Sequence, residues 1–309
     1  MKVSIIGAGN LGVSIAFCVT EKKLSDVVLV DIVEGRAQGK ALDMMESGPV
    51  RGYKTMIQGT SDYAETADSD VFVIAAGEHR QKGMTRFDLR DVNSGIIRIA
   101  AEIVEKYANV SPSKRPTCIV CTEPVDLMTY DFLKITGFKP NQVIGASSLL
   151  DSTRLRLFIA RELGISVRDV TAMVIGRHME DMIILPQYCR IAGIPIEQFL
   201  SREKIEAFAE KTKRAGDEIV AWLKIGSSFY APGSVVEEMI EAILQDTKAI
   251  LPVSVYLSGQ YGVDDVCIGV PVKLGKEGAE EIIQVKLTPE QKDAFIKSSE
   301  DLKEAIYKR

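Results

Sequence analysis

The chain has 309 residues, 46% apolar and 26% charged, enough for two domains or for one large domain with an appendage. Its formal net charge of −5 argues against a broadly basic surface for nucleic acid, and no apolar stretch approaches the length of a membrane span. The opening MKVSIIGAGN carries too short an apolar run for a signal peptide and breaks at once into glycine, so a cytoplasmic location is expected.

In chain order, KVSII reads as a strand running into a glycine-rich turn, and NLGVSIAFCVTEKKL has helical apolar spacing. DVVLVDI is a continuous apolar run, the pattern of a strand buried on both faces. GRAQGKALDMMES is helical, and DSDVFVIAAGE is a further buried strand. RFDLRDVNSGIIRIAAEIVEKYA is a long helix, TCIVCTEP a strand, VDLMTYDFLKITG a helix stopped by glycine, and QVIGASS a short strand. Strands thus alternate with helices over residues 1–146, which predicts a parallel sheet covered on both faces.

The pattern then changes. LDSTRLRLFIARELGI is an amphipathic helix and VTAMVIGRH a strand; residues 203–224 and 233–248 are helical. PVSVYLSGQYG, DVCIGVPVKLG and EEIIQVKL have turn-bounded strand character. The last helix opens with a Thr cap and Pro at its first position. A boundary near residue 147 without a flexible linker divides the chain into 1–146 and 147–309. The cysteines, five in number, predict free thiols, and the C-x-x-C at Cys118 and Cys121 reads as part of a buried strand rather than a redox or zinc motif. No metal site is expected.

GAGNLG places Gly7, Gly9 and Gly12 between a strand and a helix, with Asp31 ending the next strand. In that context Gly7 permits the tight turn, Gly9 lets a pyrophosphate approach the backbone, and Gly12 lets helix and strand pack closely. The amides of Asn10 and Leu11, at the helix start, hold negative charge. Asp31 can accept hydrogen bonds from ribose hydroxyls and would repel a 2′-phosphate, which favours NAD over NADP.

Hydride transfer to a 2-keto acid needs a proton donor, a cation that polarises the carbonyl, and a cation that holds the carboxylate. His suits the first task and Arg the other two. The chain has two histidines. His178 opens a loop after a strand, and His79 sits in the charged run GEHRQKGMTR with Arg80 and Arg86. Spacing alone leaves that run as an ordinary solvated one.

GAGNLG, VDIVEGRAQGKALD, GMTRFDL, PVDLMTY, VIGASSLLDSTRLR, APGSVVEEMIEAIL and CIGVPVKLG together, in order and over almost the full length, resemble the lactate/malate dehydrogenase family. The resemblance implies an α/β chain: a Rossmann doubly wound parallel sheet that binds NAD, followed by an α+β substrate domain, assembled as a dimer or tetramer. It implies His178 as proton carrier, Asp151 as the carboxylate that orients it, and Arg154 as the clamp on the substrate's C1 carboxylate. Arg86 becomes the carbonyl-polarising arginine. Arg80 falls at the specificity position, where the malate members carry Arg and the lactate members Gln. A small dicarboxylate substrate and reversible malate–oxaloacetate chemistry, a step of the tricarboxylic acid cycle, are therefore expected. Gly77 and Asn93 are expected beside the cofactor.

Two motifs depart from the family. Glu123 in TEPVD stands where the family usually has an Asn that donates a hydrogen bond to the substrate, and an ionised Glu only accepts. An inward Glu123 must be protonated, weaken binding, or turn toward a cation. Arg177 and Met179 flank His178 where the family usually has a Gly or Glu before it and a Gly after it. Mutual compensation of Arg177 and Glu123 is one expectation; independent drift is the other. In the loop, Phe87 and the pair Glu78-His79 depart as well. Two rival readings stay open at this point: a dehydrogenase of another 2-hydroxy acid, and an NAD-binding protein without catalysis.

Overall fold

The computed structural model describes residues 1–78, 86–108, 116–224 and 226–307, with backbone only at 86–88. Arg80 and His79 lie outside the described residues, as do the side chains of Arg86 and Phe87.

The N-terminal half runs β1 (Lys2–Ile6), α1 (Asn10–Glu21), β2 (Asp26–Val30), α2 (Arg36–Arg51), β3 (Ile57–Thr60), β4 (Val71–Ile74), α3 (Arg86–Ala108), β5 (Thr117–Val120), α4 (Val125–Thr136) and β6 (Val143–Gly145). All these strands pair in parallel, in the order β6-β5-β4-β1-β2-β3. Val71–Ile74 and Thr117–Val120 are buried along their whole length, which is why they read as unbroken apolar runs. The edge strand β3, IQGT, has a single large apolar residue, and its sequence does not announce it. Ile6 pairs with both Val30 and Ile74, so the carboxyl ends of β1, β2 and β4 finish level. The winding reverses between β1 and β4, and that opens a crevice at their carboxyl ends.

The second half runs α5 (Ser148–Leu163), β7 (Val170–Thr171), β8 (Val174–Ile175), β9 (Ile183–Ile184), β10 (Arg190–Ile191), β11 (Ile194–Pro195), α6 (Arg202–Leu223), α7 (Tyr230–Leu244), β12 (Ala249–Ser258), β13 (Asp264–Gly275), β14 (Gly278–Ile282) and α8 (Pro289–Tyr307). The stretch expected as one strand over VTAMVIGRH is instead two dipeptide strands in different sheets, β7 with β10 and β8 with β9. The long strands β12, β13 and β14 are antiparallel and extend the parallel sheet past β6. Among the described residues the result is a single sheet of nine strands. The cap expected on the last helix is present: the Thr288 hydroxyl accepts from the Gln291 amide at 3.3 Å.

One contact fixes the loop that carries His178. Gly176 and Gly269 exchange backbone hydrogen bonds of 2.8 and 3.1 Å, which tie the end of β8 to the centre of β13. The Ser148 hydroxyl at the head of α5 donates to the Gly176 carbonyl at 3.3 Å. The His178 loop is thereby pinned to α5, the helix that carries Asp151 and Arg154.

Candidate active site

The glycine turn is built to leave space. Gly7 has φ +107°, a conformation that L side chains rarely adopt, and a Cβ there would stand 2.6 Å from the Ala76 amide nitrogen. A Cβ on Gly12 would overlap the Gly7 carbonyl oxygen, whereas nothing lies within 4 Å of the Cβ position at Gly9. Gly9 caps α1 with no side-chain hydrogen bond and no acidic residue in the first turn. The Asn10 and Leu11 end of the helix therefore presents free amides to the crevice. Asp31 is buried; one oxygen accepts from the Ala8 amide at 2.8 Å and the other from the Val33 amide at 2.9 Å. Arg36 Nη1 also stands 3.4 Å from Oδ1, so Oδ2 is the oxygen that keeps a lone pair for a ribose diol. Lys40 supports the turn from below by donating to the Ala8 carbonyl at 2.9 Å. These residues fit a dinucleotide. Replacing Gly12 by Ala is expected to destabilise the fold by about 1–3 kcal/mol through overpacking. NADH binding should fall with it, and urea unfolding beside a fluorescence titration measures both.

A cavity of about 440 Å³ runs from Gly9, Asn10 and Leu11 past Gly77 to Glu123, Arg154 and His178. Dinucleotide turn and histidine therefore line one space. Asn93, expected beside the cofactor, is fully buried and serves as a strut. Its Oδ1 accepts from the Glu78 amide at 2.8 Å, and its Nδ2 donates to the carbonyls of Glu78 at 3.1 Å and Glu123 at 2.6 Å.

His178 Nδ1 lies 2.7 Å from Asp151 Oδ2, and Asp151 has no exposed surface. One turn along α5, Arg154 donates to the other Asp151 oxygen at 3.2 Å. Burial pulls the imidazole's pKa down. The charges of Asp151 and Glu123 and the Asp151 hydrogen bond outweigh it against opposition from Arg154, and the ring is pushed up to about 9. Sequence reasoning assigned no role to Asp126. Its Oδ2 accepts from the His178 backbone amide at 2.9 Å and its Oδ1 from the Ser254 hydroxyl at 2.6 Å. Burial raises its pKa to about 6 against those two hydrogen bonds. Asp126 lies in the quoted PVDLMTY, but its partners are far away in the chain and no local pattern reveals them.

Arg177 and Glu123 do not pair with each other. The Arg177 Nε is 2.8 Å from both Asp181 oxygens, and its Nη2 is 3.1 Å from Asp301 on α8. Glu123 turns instead toward the histidine, with Oε1 3.6 Å from Nε2. Met179 and Ser228 line the cavity wall. Cys118 and Cys121 are free thiols; β5 ends before Cys121, which lies half-buried at the cavity, and no cluster of potential metal ligands occurs among the described residues.

Comparison with known proteins gives the family. Residues 1–145 match the NAD binding domain of lactate/malate dehydrogenase, and residues 148–309 match its alpha/beta C-terminal domain. The chain belongs to the lactate/malate dehydrogenase family. It is 47% identical to malate dehydrogenase of Heliobacterium modesticaldum over 305 residues, covering 99% of this chain and 97% of the relative. Among solved structures, malate dehydrogenase from Salinibacter ruber superposes with a TM-score of 0.92 at 44% identity, covering 99% of this chain and 96% of that one. Lactate dehydrogenase from Cryptosporidium parvum, complexed with lactic acid and the nicotinamide dinucleotide, gives 0.94 at 35% identity, covering 99% of this chain and 96% of that one. The fold is that of the family: a Rossmann sheet with an alpha/beta C-terminal part, serving an NAD-dependent dehydrogenase. No helix among the described residues is long and apolar enough to cross a membrane.

Proposed function

We propose that the chain is an NAD-dependent malate dehydrogenase, interconverting (S)-malate and oxaloacetate. The observation that carries this reading is the Asp151–His178 pair, at 2.7 Å, on the cavity that also takes in the glycine turn and Arg154. Bound NAD supplies the hydride acceptor. Every other task falls to side chains. Asp151 at Nδ1 fixes the tautomer and leaves Nε2 to the cavity, where it takes the hydroxyl proton of malate and returns it to oxaloacetate. Arg154 holds the C1 carboxylate through its planar fork. Arg80 receives the second carboxylate, and Arg86 polarises the C2–O bond.

The pH dependence follows from the ring. Reduction needs the imidazolium, so kcat/KM for oxaloacetate holds below about 9 and falls above it. Oxidation needs the neutral ring, so kcat/KM for malate climbs toward the same pH. Steady-state rates in both directions from pH 6 to 10 check it, and parallel profiles would contradict it. The test of substrate is NADH oxidation with oxaloacetate, pyruvate and a panel of larger 2-keto acids, beside an NADH-binding titration. Oxaloacetate is expected to lead. A lead for pyruvate would overturn the role given to Arg80, and binding without turnover would favour a non-catalytic protein.

The division at residue 147 separates the dinucleotide sheet from the helix that carries Asp151 and Arg154. We place the protein in the cytoplasm as a homo-oligomer, a dimer or tetramer, in which a second copy covers exposed Leu42, Val50, Trp222 and Tyr230. A purified chain that sediments as a monomer would overturn the assembly.

A further inference from the structure

The two ring nitrogens of His178 meet different carboxylates. Nδ1 faces the buried Asp151 on α5, and Nε2, the nitrogen turned to the cavity, faces Glu123 at 3.6 Å. That separation is within ion-pair range but too long for a hydrogen bond, so the interaction is one of charge. Glu123 is held in place from two sides. Its Oε2 accepts from the Val125 amide at 3.2 Å, and its carbonyl accepts from Asn93 Nδ2 at 2.6 Å. Among the described residues, Arg154 from α5 and Asp126 from α4 also bring charge to His178. The guanidinium of the adjacent Arg177 is committed to Asp181 and Asp301.

We propose that Glu123 is a second carboxylate partner of His178, facing the cavity-side edge of the imidazolium through its charge, and that it holds the proton carrier in its protonated form between turnovers. This rests on the reading of His178 as proton carrier. As C2 takes the hydride, the Nε2–H bond breaks and its proton passes to the C2 oxygen. A neutral ring is left beside an anionic Glu123, and that arrangement favours recovery of a proton from solvent. In the oxidative direction the starting state is this same neutral ring, which the Glu123 charge disfavours. Glu123 is a positioning residue: it acts through the ring.

The experiment is nitrogen-15 NMR of the ring nitrogens in the full chain across pH, in wild type and Glu123→Gln. Only two histidines are present, and a His79→Gln variant assigns their signals. Loss of an opposite charge at this distance, half-screened by solvent, should lower the His178 midpoint by about one pH unit and leave His79 unmoved. At pH 7 the neutral fraction of the ring then rises roughly tenfold, and the bends of both kcat/KM profiles should move down by about the same pH unit. A role in packing alone would move neither the midpoint nor the bends of the two pH profiles. Should Glu123→Gln fail to bind NADH, Glu123→Asp, which withdraws the charge by one methylene, is expected to give a smaller downward shift. An unmoved His178 midpoint in the variant that folds overturns the proposal. The titration reads the Glu123–His178 pair whether or not oxaloacetate is turned over. Wild-type protein that fails to reduce oxaloacetate would sink the proposed function and leave the titration to decide the pair.

Discussion

Replacing His178 by Asn is expected to lower kcat/KM for oxaloacetate reduction by about 10²- to 10⁴-fold, the range that positioned acid–base groups supply. NADH binding should survive, because Gly9, Asn10 and Leu11 of the glycine turn lie at the other end of the cavity. The loss follows from the geometry around the ring. Asp151, buried and 2.7 Å from Nδ1, serves only an imidazole that presents Nε2 to the substrate. An Asn amide offers a hydrogen bond to the C2 oxygen but has no titratable proton. The dependence of rate on pH near 9 should therefore disappear with the activity. Steady-state kinetics in both directions, beside a fluorescence titration with NADH, measure both effects. A His178→Asn variant that kept more than about a tenth of wild-type kcat/KM would remove the histidine from the chemistry.

The second large effect is expected at Arg154. Truncating one partner of a buried, hydrogen-bonded charge pair costs about 2–5 kcal/mol, roughly 30- to 5,000-fold in kcat/KM. Arg154→Gln should lose that much, with the KM for oxaloacetate taking a large share, and Arg154→Lys should recover part, since it restores the charge without the fork. A second signature separates a substrate clamp from general damage. The Arg154 charge opposes protonation of His178. Its removal should shift the alkaline limb of the reduction profile to higher pH, the opposite direction from the Glu123→Gln variant. Unfolding or loss of NADH binding would produce neither shift, so pH profiles of the two variants side by side distinguish the cases.

Much of this arrangement is legible in the sequence for physical reasons that can be named. Strands buried on both faces, such as VFVI and TCIV, betray themselves by composition. The glycine turn does so because only glycine fits the backbone at Gly7 and the close packing at Gly12. Asp151 and Arg154 lie one helical turn apart, so their joint projection was predictable from the helix alone. The family resemblance then linked that helix to His178 across 27 residues. What stayed hidden depends on contacts between distant segments. IQGT gives no strand signal because an edge strand needs little apolar surface. The continuation of the parallel sheet through β12 rests on a single Ser254–Gly145 pairing. Asp126 acquires its role only when the His178 loop is folded over it. For Asn93, expected beside the cofactor, no local pattern announces the three hydrogen bonds to Glu78 and Glu123 by which it also braces two loops. Arg177 and Glu123, suggestive as a pair of opposite charges in neighbouring motifs, find different partners because α8 brings Asp301 to the arginine. Arg80 lies outside the described residues and Arg86 contributes only its backbone to them, so their expected roles rest on the family.

A crystal structure of the protein with NADH and hydroxymalonate, a dicarboxylate that resembles malate, tests the central claim most directly. The prediction is that one carboxylate lies in bidentate contact with Arg154 while the hydroxyl stands within hydrogen-bond distance of His178 Nε2, beside the nicotinamide ring. Hydroxymalonate bound elsewhere, or a His178 ring turned away from Asp151 in that complex, would contradict the account.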